Sequence, residues 1–160
     1  MKRCNEILKH PSYQQYYKQI EACEQGRIFC HHDMVHFLDV ARIGWIIALE
    51  EQIPVEKELL YGAALLHDIG RHRQYLEKIP HEQASAELAP EILADCGFSV
   101  KEQEVIVDAI RNHRNKGIAE EKTLRGVLYR ADKKSRSCFC CKAEKECDWS
   151  QEKKNLELRI

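Results

Sequence analysis

Six side chains in this 160-residue chain have the chemistry of metal ligands: His36, the adjacent pair His67-Asp68, His81, His113 and Asp132. Imidazole nitrogen and carboxylate oxygen together suit Fe, Mn, Co, Ni or Zn. Four histidines in one donor set argue against Mg as the tightly held ion. His67-Asp68 closes the apolar run Ala63 to Leu66, and Gly70 follows it. An imidazole and a carboxylate at such a helix end can both turn toward one ion. His36 stands within an apolar stretch, with His32 one helical turn earlier on the same face. Taken singly, each of these residues has a plainer reading. A histidine on an apolar face is more often a core residue. An Asp at a helix end needs no ligand, and His81 near a helix start is polar in a place where its cation is slightly disfavoured.

Helices must carry these groups. Tyr13, Tyr16, Tyr17 and Ile20 fall on one helical face that Gly26 can end. Those tyrosines could cover a second copy of the chain, although packing on their own core is the simpler role, so monomer and homodimer both stay open. Val35, Leu38, Ala41, Trp45 and Leu49 continue the helical period from about Asp33 to Glu50. Apolar neighbours there imply a central, largely buried helix. Pro54 suits a first helical turn before a helix over Glu56 to His67, which Gly70 would terminate. A helix from His81 to Cys96 carries Pro90, which should kink or divide it. Ser99 with Glu102 has capping-box spacing and opens a helix through His113. Leu124, Val127, Leu128 and Ala131 begin another, ahead of Asp132. Alternating strand-like runs with hairpin dipeptides are absent. The expected fold is all-α.

The order His36, His67-Asp68, His81, His113, Asp132 resembles the HD superfamily of metal-dependent phosphohydrolases, whose minimal pattern is H…HD…D. Members with two metals add two histidines between HD and the last Asp. Residues 108–113 and 124–132 look especially like the bacterial symmetrical diadenosine tetraphosphate hydrolases. The resemblance implies a compact HD-type bundle of about six to seven helices over residues 1–136, including an N-terminal helix. Residues 137–160 would form a Cys-rich segment packed on the same domain. It implies one or two divalent transition-metal ions. His36, His67, Asp68 and Asp132 would hold the first, with Asp68 bridging to a second completed by His81 and His113. Such ions polarise a phosphoryl oxygen and make hydroxide available at neutral pH. Arg71, directly after the HD-Ile-Gly run, would clamp phosphate. Arg111, Arg114 and Arg136 are further candidates, and His32 reads as supporting a ligand or facing substrate. The implied activity is hydrolysis of a small phosphate ester or anhydride, a nucleotide or dinucleoside polyphosphate. A non-catalytic nucleotide-binding or signalling domain is the alternative. Two departures leave the substrate open: only twelve residues separate Asp68 from His81, and the segment after Asp132 is Cys-rich.

A different enzyme reading starts from His32-Asp33-Met34-Val35-His36, which imitates the H-E-x-x-H helix of zinc proteases with Asp in place of the general base. It leaves the later His and Asp residues unexplained. Eight cysteines are present, and reduced thiols are expected because the chain shows no export signal and is long enough to build a core without bridges. Cys4, Cys23, Cys30 and Cys96 read as packing residues. Cys138, Cys140, Cys141 and Cys147 crowd into ten residues, where a structural zinc at Cys138, Cys141 and Cys147 is possible, with Cys140 or Cys30 as fourth ligand. His10, His31 and His72 read as surface histidines.

Composition removes several classes of function. With 25 Lys and Arg against 26 Asp and Glu, the formal charge is −1, which argues against a nucleic-acid polymer as partner. Apolar runs such as Ile43 to Leu49 are far too short to cross a bilayer. The start, Met1 to His10, lacks the apolar core of a signal peptide, so a cytoplasmic location is expected.

Overall fold

In the computed structural model, which describes residues 1–158, eight α-helices follow one another: α1 (Lys2–Lys9), α2 (Pro11–Glu24), α3 (Met34–Glu50), α4 (Lys57–Leu66), α5 (Arg71–Glu77), α6 (His81–Asp95), α7 (Val100–Asn112) and α8 (Leu124–Lys134). Short 3-10 turns lie at Lys116–Ile118, Cys138–Cys140 and Gln151–Lys153, and no strand occurs among the described residues. The all-α expectation therefore holds. Arg159 and Ile160, the end of the Cys-rich segment, lie outside the described residues.

The core forms where α3, α4, α7 and α8 pack on one another, with α6 laid against α7 and α5 against α6. Phe37, Val40 and Ala41 of α3 meet Leu60, Leu65 and Leu66 of α4, Ile106 and Ile110 of α7, and Val127, Leu128 and Ala131 of α8 in one apolar cluster. Gly44 lets α3 come close: a methyl group there would stand 3.1 Å from Leu60 Cδ1 and 3.4 Å from Ala131 Cβ. The helix bearing His36 is thereby drawn against the helices bearing His67 and Asp132.

Local chemistry sets most helix ends. Asp33 caps α3 by accepting from the His36 amide, and Thr123 caps α8 by accepting from Gly126. Ser99 and Glu102 form the expected reciprocal capping box on α7. Four details differ from the sequence reading. Pro54 lies ahead of α4 and outside it, because Glu56 is the N-cap. Gly70 starts α5 instead of ending α4, which already stops at Leu66. α6 runs unbroken through Pro90, nine residues after its first. Finally, α1 precedes the first helix whose face was read from the sequence; it buries Cys4 and Ile7 and is pinned by Arg3, whose guanidinium bonds Glu58 and Glu102.

Candidate metal centre

Five helix ends or faces bring the six residues into one buried cluster. His36 lies in the first turn of α3, and His67-Asp68 follows α4. His81 is the first residue of α6, His113 caps the C-terminus of α7, and Asp132 lies in the last turn of α8. All six are buried, with His67 fully so.

The atoms divide into two triads, His36 with His67 and Asp132, and Asp68 with His81 and His113; within each, the ligand atoms lie within 4.8 Å of one another. Asp68 joins the two. Its Oδ2 is 3.6 Å from His36 Nε2 and 3.4 Å from His67 Nε2. Its Oδ1 is 3.1 Å from His81 Nε2 and 3.6 Å from His113 Nε2. Asp132 Oδ1 is 3.6 Å from His36 Nε2 and 3.9 Å from His67 Nε2.

Each imidazole is steered from behind. His67 Nδ1 donates to the Ala64 carbonyl at 2.7 Å and His113 Nδ1 to the Ile110 carbonyl at 2.6 Å. Ser135 Oγ donates to the Asp132 carbonyl at 2.7 Å and so accepts from His36 Nδ1 at 3.1 Å. His81 Nδ1 donates to Gln74 Oε1. At His36, His67 and His113, Nδ1 is thus protonated and Nε2 presents a lone pair to the centre, the tautomer a ligating histidine needs. Protonation favours the same outcome. Burial pushes His67 down to about 3 and also lowers His81. Burial would raise the Asp68 carboxyl, but His67, His81 and His32 outweigh it and hold it well below the usual range. Asp132 is likewise held low against burial, mainly by Lys133 and Arg136. Neutral imidazoles facing ionised carboxylates are what a divalent cation requires.

The donor set also fits a cation by what it lacks. His67 Nε2, Asp68 Oδ1 and Asp132 Oδ1 are buried atoms without a hydrogen-bond partner. Unsatisfied buried polar atoms are costly, and three of them within two adjoining donor triads are rare without something to bind.

Several neighbours that were weak or absent in the sequence reading belong to this centre. His32 is buried, with its Nε2 3.7 Å from Asp68 Oδ2 and its Nδ1 bonded to Glu24. Glu24, itself buried, also accepts from the His32 amide at 2.8 Å and from the Tyr75 hydroxyl at 2.6 Å. Burial alone would raise Glu24, yet its bond to His32 brings it down to about 2. Burial lowers His32 to about 4. Arg71 Nη1 sits 2.7 Å from His81 Nδ1, and Arg136 Nη2 lies 3.3 Å from His36 Nε2 and 3.5 Å from Asp132 Oδ1. Arg136 therefore reaches the centre. Arg114 instead pairs with Glu82, and Arg111 is exposed and makes no contact with the ligands. His72 is not a surface residue: it is buried, stacked on Tyr16, and donates to the Ile69 carbonyl. His10 is half-buried and caps α2 by accepting from Ser12. The spacing of His32 to His36 was the one sequence signal for the His32 role; Glu24 and Tyr75, 8 and 43 residues away from His32, left none.

Gly70 fixes the geometry between Asp68 and Arg71. A methyl group there would fall 2.4 Å from the Ser85 nitrogen and 2.6 Å from the Ala84 carbonyl carbon, so only glycine lets this turn rest on α6. The Gly70 amide also donates to Ser85 Oγ at 2.9 Å. Asp33, the acid of the protease-like pentapeptide, is occupied as the α3 cap and accepts from the His36 amide at 3.0 Å.

The HD domain model matches residues 34–143. The chain belongs to the HD domain family, the metal-dependent phosphohydrolases that its residue order resembles. It is similar to an uncharacterized protein of Clostridium beijerinckii, 43% identical over 158 residues and covering 99% of each chain. Its fold is similar to the crystal structure of a predicted HD superfamily hydrolase from an uncultured Thermotogales bacterium. That likeness has a TM-score of 0.63 at 22% identity, over 91% of this chain and 83% of the other. No helix among the described residues is long and apolar enough to cross a membrane.

Proposed function

We propose that this chain hydrolyses a small phosphate ester or anhydride, a nucleotide or dinucleoside polyphosphate, with one or two divalent ions of Fe, Mn, Co, Ni or Zn. The observation that carries the reading is the divided carboxylate of Asp68, whose two oxygens face two different sets of histidines. When bound, the ions would polarise a phosphoryl oxygen and activate water. His36, His67 and Asp132 would hold one, His81 and His113 the other, with Asp68 shared.

The remaining work falls to the chain. A cavity opens beside the centre, lined by Arg27, Arg71, Arg136 and Lys154 together with His32, Phe29 and Trp149. Arg71 and Arg136 already touch ligand residues, so their guanidinium groups are placed to grip phosphoryl oxygens next to the reacting phosphorus. Arg27 and Lys154 extend the positive lining outward, which suits more than one phosphate. Phe29 and Trp149 offer aromatic faces for a base. His32, with Nδ1 held by Glu24, turns the lone pair of Nε2 toward the same space, placed to accept a hydrogen bond from water or substrate.

The test is a metal assay followed by a substrate screen. Purified protein should contain transition metal and release phosphate from nucleotides or dinucleoside polyphosphates with at least one of Mn, Fe, Co or Ni. Asp68→Ala should abolish the release. Tight nucleotide binding without turnover under every metal would replace hydrolysis by a binding role.

A further inference from the structure

The cysteines of the C-terminal segment have no part in the reading above, yet the fold returns them to the cavity wall. Cys138, Cys141 and Cys147 line the cavity, and so does Cys30, more than a hundred residues earlier in the loop before α3. Cys140 does not; its exposed thiol turns back to the Ser137 carbonyl. All eight cysteines are free thiols. The chain between them is a series of tight turns: Cys141 donates to Cys138, Glu144 to Cys141 and Cys147 to Glu144, all main chain to main chain. Those turns leave Cys138, Cys141 and Cys147 all on the wall of one cavity. Cys138 is buried in this group. Burial pushes its thiol up, the amide of Asn155 opposes that, and the thiols of Cys30, Cys147 and Cys141 add to it.

We infer that Cys30, Cys138, Cys141 and Cys147 form a structural zinc site that ties the C-terminal segment to the loop carrying Arg27 and His32. Four thiolates from two chain segments, two of them in a C-x2-C pair, are the donor set of closed tetrahedral zinc. Zinc with four thiolates carries two negative charges, and Arg27, Arg136 and Lys154 line the same cavity to offset them. Arg27 already donates to the Cys30 carbonyl at 2.9 Å, and Lys154 to Glu144 at 2.8 Å. Among the described residues only the two His/Asp triads bring three ligand atoms within 4.8 Å of one another, so binding draws the Cys138–Cys147 turns inward around the ion. Each ligating thiol gives its proton to solvent as the sulfur binds. The site does not touch phosphate. It sets the outer wall of the pocket that does.

Metal content and cobalt spectroscopy on the full chain separate this site from the His/Asp centre. Protein grown with zinc should lose one equivalent in Cys30→Ser and in Cys138→Ser and none in Cys140→Ser. Reconstitution with Co²⁺ alone should give an intense thiolate-to-cobalt charge-transfer absorption in the wild type. That band should persist in Asp68→Ala, where the His/Asp ions are lost, and vanish in Cys30→Ser. If Cys138→Ser does not fold, the wild-type spectrum and Cys30→Ser still decide the matter. The inference is overturned if the wild type shows no charge-transfer band, or if Cys141 and Cys147, which are only half-buried, react with a disulfide reagent as fast in the native zinc-grown protein as after denaturation.

Discussion

Around the His/Asp centre, each candidate donor is delivered by a helix, and the Ala64 and Ile110 carbonyls, the Ser135 hydroxyl and the Gln74 amide hold the four imidazoles. Among the described residues, the segment after Arg136 has no α-helix. It lies on the domain through Asn155, which donates to the Lys133 and Arg136 carbonyls at 2.7 and 2.9 Å, and Lys154 on Glu144 braces the segment within itself. Both regions border one cavity. The first owes its geometry to the packed core of five helices, so its donors are placed before any ion arrives. The second has turns and a few long-range hydrogen bonds, so an ion would contribute to its order. The contrast is between a preorganised donor cluster and a segment that the proposed zinc would help to assemble.

The largest effect should come from Asp68, which both triads share. Asp68→Ala should lower phosphate release by about 10³-fold or more with any metal, and bound transition metal at the centre should fall with it. Retention of both ions by this variant would break the picture of a shared carboxylate. Gly70→Ala tests preorganisation without touching a ligand. Its methyl group meets main-chain atoms of α6, and we expect a loss of about 3 kcal/mol, roughly 6–12 °C in Tm by thermal unfolding. Arg136→Ala removes a cation that touches the centre from the Cys-rich side. It should raise KM about tenfold or more with a smaller change in kcat, and Arg136→Lys should recover only part because the planar fork is lost.

Smaller effects sharpen the other half of the comparison. Asn155→Ala should cost about 1 kcal/mol locally, seen as faster proteolysis of the C-terminal segment at nearly unchanged Tm. Ser99→Ala, far from both regions, should cost about 1 kcal/mol by loss of the α7 cap and leave metal content intact. Its partner Glu102 is lowered from 4.5 to about 2, first by Arg3 and then by Ser99. A carboxylate lowered on folding stabilises above its unfolded value. The deficit of Glu102→Gln should therefore be full at neutral pH and fade as pH falls from 4.5 toward 2, as acid unfolding curves would show.

The candidate ligands were legible because metal chemistry restricts residue type and because His36, His67-Asp68, His113 and Asp132 each stand at a recognisable point of a helical pattern. The capping box of α7 was legible for the same reason: both partners lie within one turn. Gly70 was misread because its role depends on α6 packing over it, and a glycine that starts a helix looks like one that ends the preceding helix. His72 was misread because the ring that covers it, Tyr16, comes from a helix 56 residues earlier. Glu24 and Tyr75 gave no signal at all. A carboxylate in an amphipathic helix looks like any other until the fold buries it against His32.

The amino-acid sequence by itself determined that this chain is helical and which six side chains could hold metal, since periodicity, caps and donor type are properties of neighbours along the chain. Only the tertiary structure decided which oxygen of Asp68 faces which histidines, that Arg136 and not Arg111 or Arg114 reaches the ligands, and that Cys30 shares a cavity with the Cys138–Cys147 turns. Those relations depend on the angles at which helices cross and on where loops return. Such geometry is set by packing between residues far apart in sequence, which local pattern does not encode.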